Sequence, residues 1–158
     1  METVLSQLAG PDQVVFRGSI REVEWYPLEA LVAFLRTAKA ALAPEDPAFF
    51  ERQGRFAAQR QKEALLGVMV TTPEARMMTA PTIWHMFYDV GRLVVCGDDP
   101  VTAVSRIHDF PTTPELCGRF RGIWEGMAST TERPAVATET RCVLRGDPFC
   151  EFTVSYQA

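Results

Sequence analysis

The chain has 158 residues, 47% of them hydrophobic, with 16 basic against 20 acidic side chains for a formal net charge of −4. That length and apolar fraction exclude a disordered chain and allow one self-sufficient core, and the acidic balance argues against a nucleic-acid partner. Residues 1–13 lack a basic segment followed by an apolar run, and Leu28 to Leu42 carries Glu29, Arg36 and Lys39, so neither a secretory leader nor membrane insertion is expected; the expected setting is cytoplasmic, where the four cysteines are free thiols or metal ligands rather than disulfides.

Val14-Val15-Phe16 predicts a short strand ended by Gly18, and Ile20, Val23 and Trp25 predict a second, making an N-terminal hairpin. Trp25-Tyr26-Pro27 leads into a helix, because proline at a first helical position loses no hydrogen bond. Leu28, Leu31, Leu35, Ala38 and Leu42 then form one stripe, with Val32 and Phe34 beside it. Asp46 before Pro47 predicts the next helix start. Its apolar positions are Phe49, Phe50, Phe56, Ala57, Leu65, Leu66, Val68 and Met69, interrupted by Gly54 and Gly67. Arg52, Arg55, Arg60 and Lys62 give it a basic side, either a solvated face or a docking surface for an acidic partner.

Thr71-Thr72-Pro73-Glu74 has the character of a capping box, and the same four residues recur at Thr112 to Glu115. The residues downstream differ, so this is a reused helix start and not an internal repeat. Met77, Met78, Ala80, Ile83, Trp84, Met86, Phe87 and Tyr88 follow, with Pro81 expected to kink or divide the helix. Gly91 is expected to close it. Leu93 to Cys96 and Val101 to Phe110 read as strands around a turn at residues 97–100. Thr112 to Ala128 reads as a helix with the stripe Leu116, Phe120, Ile123, Trp124 and Met127. Gly118, Gly122 and Gly126 recur at four-residue spacing. Either they admit a close neighbour or they only weaken the helix, at about 1 kcal/mol each relative to alanine. The expected order is β-β-α-α-α-β-β-α-β-β, a single α/β domain over 1–158 with helices packed on an antiparallel sheet.

The final stretch, Thr138 to Tyr156, carries the most chemistry. Two strands are joined by a turn at Arg145-Gly146-Asp147-Pro148. Cys150, Phe152, Val154 and Tyr156 alternate with polar residues, which points Cys150 inward. A turn centred on Gly146 sets Cys142 opposite Cys150, with Cβ atoms about 4.5–5.5 Å apart. Two thiols so placed share one metal or form a cross-strand bridge. A metal site wants more donors. Cys117, in the first turn of the last helix, is the candidate third. Glu139 is the candidate fourth, but its odd offset from Cys142 places it on the opposite face unless a bulge re-aims it. His108 competes with it, and buried unliganded thiols are the other outcome.

The pattern Cys142-x3-Gly146-x3-Cys150-Glu151-Phe152-x-Val154 resembles the end of the 4-vinyl reductase domain, a small-molecule-binding family related to the sensory domains of aromatic-responsive activators and to TRAPP-type subunits. In the aromatic-sensing members zinc is held by a helix cysteine followed by Glu-x2-Cys-x7-Cys, a spacing that Cys117, Glu139, Cys142 and Cys150 reproduce. The resemblance therefore implies a structural zinc on these four residues, pinning the last helix to the final hairpin. It also implies an apolar pocket between helices and sheet, for which Trp84, Met86, Phe87, Val95, Phe110, Trp124 and Tyr156 are the candidate lining residues; each is otherwise simply core.

His85, among Trp84, Met86 and Phe87, is either a packed histidine or a haem ligand. No nucleophile elbow, P-loop or dinucleotide glycine pattern is present, so no enzyme activity is expected. The expected function is a cytoplasmic sensory module that holds a small apolar ligand and acts through a homodimer or a signalling partner. A ligand-free, TRAPP-like dimerising adaptor is the second reading, and a haem or tetrapyrrole binder the third.

Overall fold

The structure, a computed structural model, describes residues 2–21, 24–64, 81–98, 102–129 and 134–156. It forms two compact units, Met1–Phe50 and Glu51–Ala158.

The first unit holds α1 (Glu2–Leu5), α2 (Gly10–Arg17) and α3 (Leu28–Leu42). The expected N-terminal hairpin is corrected: Val14-Val15-Phe16 lies inside α2. Pro11 sits in the first turn of this helix with Asp12, where a missing N–H costs nothing and a carboxylate meets the positive end of the helix dipole. Gln13 donates from Nε2 to the carbonyl of Leu5 at 2.7 Å, and Phe16 packs on Phe34 with ring centroids 4.8 Å apart. These contacts outweigh the β-propensity of two valines. The second expected strand is also absent from the described residues around it. The Arg21 N–H donates to the Tyr26 hydroxyl at 2.9 Å, which folds this stretch into a loop, and Trp25 is exposed; residues 22 and 23 lie outside the described set. Along α3, Ala30, Val32, Leu35 and Ala38 are the buried positions.

The second unit contains a four-stranded antiparallel sheet. Its strands are β1 (Arg92–Asp98), β2 (Thr102–His108), β3 (Ala135–Arg141) and β4 (Cys150–Tyr156), in the order β1-β2-β4-β3. The last helix, here α6 (Pro114–Ala128), lies against β3 and β4. Thr113 caps it, its hydroxyl accepting from the Leu116 N–H at 3.4 Å. The inward positions are those that alternation selects: Leu93, Ala103, Ser105, Ile107, Ala135, Ala137, Cys150, Phe152 and Val154 are all buried. On α6, Leu116, Phe120 and Ile123 are buried, while Trp124 and Met127 are half-buried.

The helix α4 (Phe49–Ala64) begins two residues after the expected N-terminal proline, with the Ala48 N–H donating to Asp46 at 2.9 Å. Its residues from Glu51 onward pack on α6 through glycines. A Cβ on Gly54 would overlap the Arg119 carbonyl oxygen, and one on Gly122 would overlap the Glu51 carbonyl oxygen. The two backbones therefore touch where these glycines meet, which decides for close approach over mere helix weakening at Gly122. Arg55 pairs with Glu125 at 2.8 Å, and Arg121 pairs with Glu51, so the basic side of α4 is in part an ion-paired seam with α6. A helical segment, here α5, covers 81–87 of the described residues and precedes β1. The expected helix start at Thr71 and the apolar residues from Leu65 to Ala80 lie outside the described residues. Gly91 takes φ +69° but sits at the entry to β1; a Cβ there would lie 2.9 Å from the His108 carbonyl oxygen.

Among the described residues the order is thus four helices, α5, two strands, α6 and two strands. Helices covering an antiparallel sheet are present as expected; the N-terminal β-β pair is replaced by α-α.

Candidate functional site

The hairpin of β3 and β4 does not close by a two-residue turn. Cys142 leads into a 3-10 turn, Val143–Arg145, and Gly146 follows at φ +91°, a conformation that suits a residue without a Cβ. Asp147 organises this turn: its carboxylate accepts from the Cys142 N–H at 2.8 Å, and its own N–H donates to the Cys142 carbonyl at 3.2 Å. The register along β3 slips between Glu139 and Arg141, which pair with the consecutive residues Phe152 and Glu151. Thr140 is the extra residue of a β-bulge. This bulge is the condition under which Glu139 can share a face with the cysteines. Glu139 pairs with the inward Phe152, and Cys142, one residue past the last pair, brings its sulfur to 3.9 Å from that of Cys150.

Cys117, Glu139, Cys142 and Cys150 converge, with one ligand atom from each lying within 4.8 Å of the others. The Cys117 and Cys142 sulfurs are 3.6 Å apart and those of Cys142 and Cys150 are 3.9 Å apart. All four cysteines of the chain are free thiols. Thr112 lies 3.8 Å from the Cys150 sulfur. Arg145 reaches Glu139 Oε2 at 3.3 Å, while Glu139 Oε1 is buried with no hydrogen-bond partner among the described residues. The Cys117 thiol hydrogen-bonds to Cys150, which lowers the Cys150 thiol to about 6 and pushes Cys117 upward, with burial and the Glu139 carboxylate adding to the rise on Cys117. Burial raises Cys142. Three sulfurs and an unsatisfied carboxylate oxygen in one buried spot are a donor set able to hold a metal ion. His108 is not part of it. That side chain lies on the outer face of the sheet against Phe149, with ring centroids 4.9 Å apart.

The candidate pocket residues separate into groups. Trp84 and Phe110 join Tyr88 and Phe120 in an aromatic cluster whose centroids are 4.5–5.6 Å apart. The Trp84 indole N–H donates to the Val90 carbonyl at 3.1 Å. Trp124 and Tyr156 pack instead on the small-residue patch of Ala103, Ala135, Ala137 and Val154. Val95 pairs with the buried Ser105 on the inner face. Met86 and Phe87 are 57% and 39% exposed, so the structure does not bring them into the cluster with Trp84. His85 is exposed as well.

Sequence reasoning missed Arg119. It is buried on α6, donating from Nε to Gln53 at 2.7 Å and from Nη1 to the Tyr88 hydroxyl at 3.1 Å. The signal was present: Arg119 falls three residues after Leu116 and four before Ile123, on the apolar side of the helix.

No family model and no curated protein matches this chain. Its fold is that of H-NOX proteins. It is similar to the H-NOX protein from S. oneidensis in the Fe(II)NO ligation state, with TM-score 0.74 at 13% identity over 99% of this chain and 88% of that one. It is similar also to the Fe(II) unliganded H-NOX protein from K. algicida, with TM-score 0.69 at 7% identity, covering 99% and 85%. It is similar also to the SO2144 H-NOX domain from Shewanella oneidensis in the Fe(II)CO ligation state, with TM-score 0.65 at 11% identity, covering 99% and 93%.

These structures correct the family resemblance. The fold matches H-NOX proteins rather than 4-vinyl reductase or TRAPP-type domains. The zinc cofactor is corrected with it, since zinc came from that resemblance and the similar structures hold Fe(II). Iron in a histidine-ligated haem does not fit the described residues either. Such an iron takes an axial imidazole in an apolar pocket. The chain has two histidines, of which His85 is exposed and His108 stands on the outer face of the sheet. Among the described residues no helix is long and apolar enough to cross a membrane.

Proposed function

We propose that this chain is a non-enzymatic sensor domain that takes up a small apolar molecule and passes the signal to a protein partner or a second copy of itself. The observation that carries this reading is the fold: a likeness spanning 99% of the chain, at TM-score 0.74, to a protein whose structure carries NO on Fe(II). The aromatic cluster of Trp84, Tyr88, Phe110 and Phe120 supplies an apolar wall for such a ligand. Native mass spectrometry of the purified chain, with titration of the neutral dye Nile red, tests the reading. The expected result is a retained small molecule or saturable dye uptake, with no Soret band in the absorption spectrum. A ligand-free chain that takes up no dye would instead be an interaction module.

The four-residue centre has its own role. Three converging sulfurs and Glu139 Oε1, which has no hydrogen-bond partner among the described residues, make a donor set able to hold a metal ion. Elemental analysis of the purified chain is expected to find a bound metal ion that is lost in Cys142→Ser. A metal-free chain with unchanged stability in that variant would refute this role.

A further inference from the structure

Arginine is almost never buried without a partner, because removing a charge from water is costly unless an opposite charge compensates it. Arg119 is 9% exposed, and among the described residues its guanidinium bonds neutral oxygens, Oε1 of Gln53 and the hydroxyl of Tyr88. No carboxylate among the described residues forms an ion pair with it, although Glu51 and Glu125 lie on the neighbouring helix turns and are taken by Arg121 and Arg55. A guanidinium has five N–H donors in a planar fork. Two of them are used here. Both flanking groups are also oriented. Tyr88 is fixed by packing tilted on Trp84 at 4.5 Å and edge-on to Phe110 at 5.3 Å, and Gln53 is carried on the helix whose glycine seam grips α6. The result is a preoriented cation at the edge of an aromatic cluster, within one compact unit.

We propose that Arg119 is the anchor for the carboxylate of a small apolar acid whose hydrocarbon or aromatic body lies against the half-buried Tyr88 ring, at the edge of the buried Trp84–Phe110 cluster. The planar fork matches a carboxylate, which can accept two parallel hydrogen bonds from it. One lone cation balances one negative charge, which favours a monocarboxylate over a phosphate dianion. The charge then gains a counterion that no described carboxylate supplies. This inference rests on the sensor reading and narrows it, from a small apolar molecule to an apolar monocarboxylic acid.

The test has two arms on the full chain. In the first, the melting temperature of ligand-free protein is compared with that of Arg119→Met. A binding arginine carries an uncompensated charge in the empty protein, so its apolar replacement is expected to melt higher; a lower melting temperature, or failure to fold, makes Arg119 a structural residue and overturns the proposal. In the second, calorimetry measures phenylacetate, 4-phenylbutyrate and octanoate, each against its primary amide. The acids are expected to bind roughly tenfold or more tightly than the amides, as loss of one charge-assisted pair implies, and Arg119→Lys is expected to erase most of that preference while keeping the fold. Equal binding of acid and amide, or no binding of any acid, overturns the proposal. The sensor reading fails separately, through absence of Nile red uptake and of any retained molecule.

Discussion

The contact between α4 and α6 rests on two glycines, and Gly122→Ala measures how much depends on it. Taken alone, the change should help, since alanine gains about 1 kcal/mol over glycine inside a helix. The structure reverses the sign. The new Cβ would overlap the carbonyl oxygen of Glu51 and stand 2.9 Å from its Cα, and both are backbone atoms that cannot rotate aside. Relief requires α4 to move off α6, which loosens the packing of Ala58 and strains the Arg55–Glu125 and Arg121–Glu51 pairs. Overpacking of this kind costs about 1–3 kcal/mol, and the backbone identity of the obstacle places it at or beyond the upper end. After the helix gain is subtracted, a net loss of roughly 2 kcal/mol remains. For a chain of this size that is a fall of about 4–8 °C in melting temperature. Thermal unfolding followed by circular dichroism, with a urea titration beside it, reads the change. Gly10→Ala is the control, because nothing lies within 4 Å of a Cβ there, and its effect is expected within about 0.5 kcal/mol. A Gly122→Ala protein as stable as the parent would refute the close crossing.

Glu151 accepts from Arg106 at 2.7 Å and from Thr140 at 2.9 Å, and the Arg106 bond holds its carboxyl below the ordinary value. A depressed carboxyl contributes stability that is present above its unfolded value and lost as pH falls through the folded one. Glu151→Gln is therefore expected to be less stable than the parent at neutral pH and to lose less on acidification below the usual carboxylate range; parallel acid curves for the two proteins would contradict this. In metal-stripped protein, the thiolate absorbance near the far ultraviolet edge is expected to titrate near the Cys150 value of about 6 and to lose that phase in Cys150→Ser. Thr113→Ala removes the cap of α6 and is expected to cost about 0.5–1 kcal/mol in a urea titration, a neutral result meaning that the backbone bond from the Cys117 N–H to the Thr113 carbonyl suffices.

Much of the second unit was legible in the chain itself. Alternation in β4 identified its inward face, and a single parity argument set Cys142 against Cys150, because strand side chains alternate with a strict period of two. The stripe on α6 and the spacing of its glycines likewise pointed to a packed face, and Gly122 meets a neighbouring backbone there. The N-terminal strands were misread because β-propensity is weak evidence beside tertiary contacts: Phe16 finds Phe34, and Gln13 finds the Leu5 carbonyl, only in the folded unit.

The final hairpin divides along the same line. The chain alone offered the three cysteines, left Glu139 and His108 in competition, and named the one condition Glu139 had to meet; the set of four came from the family resemblance. Whether β3 bulges is settled by its pairing with β4, and the slip at Thr140 brings the carboxylate round to the sulfurs. Arg119 is the reverse case. Its place on the apolar side of α6 is written in the sequence, but its isolation from every described carboxylate depends on which partners Glu51 and Glu125 take across the helix seam. Local pattern decides which face a side chain occupies; only long-range packing decides what it meets there.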